Sequence, residues 1–178
     1  MVEDKLLANY RAGIRRILLS HDDEVIRTSV PEFQSIILEE ILSFATKEIV
    51  GVYNCAKGCL WTQKATEIVN SKTVDPSKHV ETRIVYVPSN DGYIGEIGKL
   101  GDVAKAVPCG TLQCEGLITF FVVDGKITLA VGDEPEKPLL LYPSGADGFT
   151  EQILGFASDL WKFSSKYSDS MDIERSHE

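Results

Sequence analysis

Apolar positions recur at two spacings along this chain, and the switches between them mark out its elements. In "KLLANYRAGIRRILL", Leu7, Tyr10, Ile14 and Leu18 stand three and four residues apart, one stripe of an amphipathic helix that "SHDDE" then breaks. "SVPEFQSIILEEILSFATKE" predicts a second helix, with Pro31 suited to the first turn and Phe33, Ile36, Ile37, Ile41 and Phe44 on one side. It leads directly into "EIVGVYN", a short β-branched strand. Helical spacing returns in "CLWTQKATEIVNS" through Trp61, Ala65, Ile68 and Val69. After the turn "TVDPSKH", a second strand follows in "VETRIVYVP".

The next stretch, "SNDGYIGEIGKLGDVAKAVPCG", is the least regular. Its glycines recur at 92, 95, 98 and 101, a spacing that matches neither the dinucleotide nor the P-loop pattern, so it reads as a loop with a short, weak helix rather than a phosphate cradle. "GLITFFVVDGKITLAVG" then reads as two apolar strands joined at Asp124-Gly125, a hairpin signal. A short strand, "PLLLYP", precedes a last helix in "FTEQILGFASDLWKFSSKY", with Phe149, Ile153, Phe156, Leu160 and Phe163 as its stripe and Trp161 beside it. Alternating helices and strands followed by a hairpin predict an α/β fold, a mixed β-sheet flanked by helices, with an extra N-terminal amphipathic helix. The expected organisation is a helix and connector over 1–28, one domain over 29–167 and a disordered polar tail over 168–178.

Composition narrows the function classes. A chain of 178 residues with 43% hydrophobic and 25% charged content is ordinary for one globular domain. No run approaches a membrane span, and the amino terminus carries no apolar signal core behind a basic start, so a cytoplasmic protein is expected. The net charge of −9 repels a duplex or an anionic membrane on average, which argues against direct nucleic-acid binding by this chain. Arg11, Arg15 and Arg16 gather locally in the first helix and read as a solvated face. Four cysteines without a secretory signal read as reduced thiols.

Four segments taken together carry a resemblance: "FQSIILEEILSFATKEIVGVYN", "ATEIVNSKTVDPSKHVETRIVYV", "GLITFFVVDGKITLAVG" and "FTEQILGFASDLW". In order and pattern, from Pro31 to about Lys166, the chain resembles the phospholipase D-like fold in its single-copy form. Enzymes of that family carry H-x-K-x-x-x-x-D on the hairpin strand, where the imidazole attacks phosphorus and the lysine neutralises phosphate oxygens. With the aspartate at Asp124, the lysine position falls on Thr119 and the histidine position on Leu117. An apolar side chain offers no lone pair for nucleophilic attack, so phosphodiester hydrolysis is not expected. His21, His79 and His177 read as bystanders. Asp124 itself has two readings, a remnant of the motif or simply an Asp-Gly turn residue.

Relatives that lack the histidine and lysine include the effector-binding domains of TrmB-type archaeal transcription regulators. The resemblance therefore implies a non-catalytic ligand-sensing or regulatory domain, with a small-molecule effector in a vestigial pocket and a homodimer as the working form. Tyr53, Asn54, Trp61, Thr119 and Asp124 are the expected ligand-binding residues, polar groups and aromatic walls in an otherwise apolar cleft. No cofactor is expected under this reading. The alternative is a thiol-based metal or redox module. Cys55 and Cys59 follow the first strand of the resemblance, and Cys109 and Cys114 precede its motif strand. In that fold the two pairs face one end of the sheet, where they would suit zinc, an iron–sulfur cluster or a sensing dithiol. A third, enzymatic reading would use Asp124 with Cys114 or Tyr142.

Overall fold

The computed structural model describes residues 2–20, 23–55, 60–74, 79–89, 94–107, 119–132, 138–146 and 148–175. Among them the elements are, in chain order, α1 (Val2–Ser20), β1 (Ile26–Thr28), α2 (Pro31–Phe44), β2 (Glu48–Asn54), α3 (Gln63–Val74), β3 (Glu81–Val87), 3₁₀ turns over Gly95–Val103, β4 (Ala104–Ala106), β5 (Thr119–Val123), β6 (Ile127–Val131), β7 (Leu139–Tyr142) and α4 (Phe149–Arg175). The seven strands form one sheet in the order β1-β7-β6-β5-β2-β3-β4. Its β2-β3-β4 side is parallel, and its β5-β6-β7-β1 side is antiparallel. The sheet is mixed, as the order of helices and strands predicts.

Strand alternation sorts the core into two layers. On one face Ile49 and Tyr53 of β2, Ile84 of β3, Phe121 and Val123 of β5 and Leu129 of β6 pack with α2, α3 and the 3₁₀ turns. On the other, Val50, Val52, Val85, Phe120 and Val122 meet Ile153, Ala157 and Leu160 of α4. Within the first layer, Gly51 of β2 lies opposite Phe121 of β5. A Cβ on Gly51 would stand 2.4 Å from the Phe121 ring, so the ring occupies the space that any other residue would need.

Helix α1 is part of this core rather than an appendage before it. Leu18 and Ile14 are buried, and Tyr10 stacks on Phe33 of α2 at 4.0 Å. Arg11, expected on a solvated face, instead turns inward onto two buried carboxylates of α2, and Arg15, still exposed, reaches one of them. Arg11 donates to Glu40 at 2.5 Å and Glu39 at 2.6 Å, and Arg15 Nε donates to Glu40 at 2.5 Å. Their signal was hidden because Glu39 and Glu40 sit mid-helix among apolar residues, where periodicity sees only an interruption. Burial pushes the Glu39 carboxyl up, but the hydrogen bonds from Arg11 and Thr62 and the charges of Lys64 and Arg11 outweigh it and hold the group below the usual carboxylate range.

Three further differences from the pattern have physical causes. Strands β1 and β4 are three residues each, too short to show a period, and β1 ties the connector into the sheet by pairing with β7. Helix α4 continues to Arg175, through most of the segment expected to be a disordered tail; that segment holds no Gly or Pro to stop it. The apolar stripe of α4 also divides. Ile153 and Leu160 reach the sheet with Ala157, while Phe149, Phe156 and Phe163 line the edge of the helix and stay 38–45% exposed. None of the helices among the described residues is long and apolar enough to cross a membrane.

Two measurements test this packing. Gly51→Ala is expected to lower stability by about 2 kcal/mol in urea denaturation, since overpacking the Phe121 contact forces backbone or ring to move. Arg11→Met, which strips two buried carboxylates of a partner, is expected to cost about 2–3 kcal/mol, with much of the loss recovered in Arg11→Met/Glu40→Leu. Equal stability of the single and double variants would mean that the carboxylates find other partners.

Candidate functional site

The β5–β6 hairpin anchors both ends of the expected site. At its turn, Asp124 and Gly125 have φ of 54° and 68°, the left-handed backbone that a tight two-residue turn requires, and Lys126 N–H closes it onto the Val123 carbonyl at 3.1 Å. The turn points the Asp124 carboxylate at the junction between α2 and β2. There it accepts hydrogen bonds from the backbone N–H groups of Thr46 (3.0 Å), Lys47 (2.8 Å) and Glu48 (3.0 Å) and from the Thr46 hydroxyl (2.7 Å). Three successive N–H groups converging on one anion form a nest. Burial pushes the carboxyl up, yet the N–H groups of Glu48 and Lys47 and the hydroxyl and N–H of Thr46 prevail and hold it below its ordinary value.

Thr119 lies at the other end of β5. Five residues of extended chain separate it from Asp124, roughly 17 Å. Strands β2 and β5 are antiparallel, so the Asp124 end is the Glu48 end of β2 and the Thr119 end is the Asn54 end. The structure therefore does not bring Asp124 together with the other expected ligand-binding residues.

Those others do cluster, but as core. Thr119 is 2% exposed, and its hydroxyl accepts the Asn54 N–H at 3.0 Å. The Trp61 N–H reaches the Tyr53 hydroxyl at 3.4 Å, and the Trp61 ring donates through Nε1 to Thr66 at 2.9 Å while lying 5.6 Å from Phe121. Tyr53, Asn54 and Trp61 are all buried. Because successive strand residues face opposite ways, Tyr53 belongs to the α2/α3 side and Asn54 to the α4 side, so the two cannot line one cleft. Cys55 is buried beside Ile94, with Sγ 3.8 Å from its carbonyl. Cys59, Cys109, Cys114 and Leu117 lie outside the described residues. Among the described residues no three His, Cys, Asp or Glu side chains gather closely enough to hold a metal ion. His79 is exposed just before β3, at the Glu48 end of the sheet and away from Thr119; His21 and His177 are outside the described residues.

Two hollows lined by described residues lie at the Glu48 end. One, of about 380 Å³, opens beside the Asp124 turn between the last turns of α1 and α2, lined by Leu18, Phe44, Ile127, Pro143, Lys47 and Lys126. The other, of about 170 Å³, is a slot between the sheet and α4, lined by Glu48, Val50, Arg83, Leu154, Ala157, Ser158 and Trp161. Arg83 interrupts the apolar run of β3 at a position that faces α4. A charged residue there is the one sequence signal that could have pointed to the slot.

The nest makes a pH prediction. A carboxyl held below its unfolded value of about 3.9 stabilises the fold above that pH, and the contribution is lost as pH falls through the lower folded value. Asp124→Asn keeps the left-handed turn but removes the charge. It is expected to cost about 1–2 kcal/mol at neutral pH, allowing for partial solvent screening. The gap to the unsubstituted protein should close below about pH 4. Denaturation curves across pH check this, and a gap independent of pH would assign Asp124 to turn geometry alone.

No family model matches the sequence, and no curated protein is similar to it in sequence. Comparison of folds is informative. The phospholipase D family member Nuc from Salmonella typhimurium superimposes with a TM-score of 0.56 at 11% identity, over 78% of this chain and 93% of Nuc. TrmBL2, described as an archaeal chromatin protein with a novel mode of DNA binding, superimposes with a TM-score of 0.56 at 11% identity, over 92% of this chain. The match spans 65% of TrmBL2. Set beside the mixed sheet, the hairpin and the closing helix, these likenesses show that the chain has a phospholipase D-like fold similar to that of TrmB-type proteins.

Proposed function

We propose that this chain is a non-catalytic regulatory domain, of the kind joined to transcription regulation, that answers to a small-molecule effector. The observation that carries the reading is the state of Thr119. At the position where the family places its phosphate-binding lysine stands a buried hydroxyl already engaged by the Asn54 N–H, with no ammonium to neutralise a phosphate. The residue two places earlier is Leu117, which supplies no nucleophile. Asp124, the one motif residue kept, serves the fold by clasping the hairpin to the α2–β2 junction.

Nuc contributes the framework to this reading, and TrmBL2 contributes the association with DNA and chromatin. With a net charge of −9, contact with a duplex would fall to another polypeptide segment or partner rather than to this surface. A homodimer belongs to the same reading, and the exposed row of Phe149, Phe156 and Phe163 offers it apolar surface. The effector is assigned to the Glu48 end, because Tyr53, Asn54, Trp61 and Thr119, the described residues expected at the other end, are buried.

The test has two arms. Against bis(4-nitrophenyl) phosphate the protein is expected to show no turnover above buffer; turnover abolished by Asp124→Asn would overturn the non-catalytic reading. In a thermal-shift panel of sugars, nucleotides, amino acids and organic acids, at least one compound is expected to raise Tm by about 3–8 °C at saturation. A panel without any shift would remove the effector.

A further inference from the structure

The slot between the sheet and α4 contains a guanidinium that the fold has left incompletely used. Arg83 Nε is buried and has no hydrogen-bond acceptor. Glu81 Oε1 lies 3.3 Å from it, but not in hydrogen-bonding geometry, and Glu48 Oε2 lies 3.8 Å from Nη2, beyond hydrogen-bond reach. Nε itself is sealed, but the terminal Nη groups also carry no hydrogen bond among the described residues and remain free to meet an occupant of the slot. Around it the slot supplies a carboxylate (Glu48), a hydroxyl (Ser158), an indole wall (Trp161) and an apolar floor of Val50, Leu154 and Ala157.

From this arrangement we propose that the slot binds a small zwitterion of the α-amino acid class. Charge decides the class. A simple anion drawn to Arg83 would meet Glu48 and Glu81 beside it, and a simple cation drawn to the carboxylates would meet Arg83. A molecule bearing both charges on neighbouring atoms satisfies both sides. Its carboxylate takes the terminal Nη groups of Arg83, the part of the guanidinium that is not sealed, and its ammonium takes Glu48. Charge-assisted hydrogen bonds of this kind are the strong ones, and the guanidinium edge matches a carboxylate in shape. Volume decides the size. A cavity of about 150 Å³ holds benzene, so about 170 Å³ admits roughly six or seven heavy atoms, the size of alanine or serine. The side chain of such a ligand would rest on Val50 and Ala157.

Geometry also makes the slot a place where binding is felt. Glu48 donates its backbone N–H to Asp124, so it connects the slot to the hairpin clasp. Arg83 and Glu48 belong to the sheet while Ser158 and Trp161 belong to α4, so an occupant would join the sheet to its covering helix. The regulatory meaning of the site rests on the effector-responsive reading given above; the binding itself is measured apart from it.

The experiment is calorimetric titration of the full chain with L-alanine and L-serine, beside propionate and alaninamide, which keep one charge each. Saturable binding of at least one amino acid is expected, with the single-charge analogues about tenfold or more weaker. Arg83→Gln and Glu48→Gln should each abolish the heat. Ser158→Met, which fills the slot from a half-exposed position on α4, should do the same while leaving the circular dichroism spectrum unchanged. No binding at millimolar amino acid would overturn the proposal, as would binding that survives both Arg83→Gln and Ser158→Met. If some other compound in the thermal-shift panel still raises Tm, the zwitterion site falls and the regulatory domain stands. If nothing does, both fall.

Discussion

One carboxylate fixes the relation between the two halves of this fold. Asp124 sits in a left-handed turn at the tip of the β5–β6 hairpin and receives three consecutive backbone N–H groups from the start of β2. Those amides belong to the junction between α2 and β2. By taking them up, Asp124 locks the antiparallel half of the sheet to the parallel half and sets the register in which Gly51 lies beneath Phe121. The same register delivers Thr119 to the Asn54 N–H at the far end. A residue that resembles a catalytic remnant is thus explained by structure alone.

The division of the sheet into two ends organises everything functional. At the Asn54 end, Thr119 and Asn54 are buried and hydrogen-bonded to each other, and Tyr53 and Trp61 are buried beside them. At the Glu48 end, charged side chains and hollows gather between the sheet and its helices. The likeness to Nuc and TrmBL2, at 11% identity, establishes the framework and nothing of the chemistry. What the chain does has to be read from its own residues.

Much of this was legible in the sequence. The helices α1 and α2, the strands β2 and β3 and the hairpin follow from spacing, because each buries one face over several residues and so repeats its signal. Three-residue strands cannot repeat anything, which is why β1 and β4 were silent. Pairing of Arg11 and Arg15 with Glu39 and Glu40 joins residues 25 to 29 positions apart on two helices, and no local pattern encodes it. The separation of the expected ligand-binding residues was hidden for a similar reason. Tyr53 and Asn54 are adjacent in sequence but on opposite faces, and Thr119 and Asp124 share a strand but not an end. Proximity along the chain stood in for proximity in space. Phe149, Phe156 and Phe163 fit a helical stripe with Ile153 and Leu160, yet a stripe that wide exceeds what one sheet face can cover.

The borders of the sheet carry a final consequence. Both outermost strands are three residues long, and the middle residue of each is cationic, Arg27 in β1 and Lys105 in β4. A foreign strand approaching either margin would find few open amides and carbonyls, and a positive charge among them. Ribbon-by-ribbon growth into fibrils is thereby discouraged from both sides.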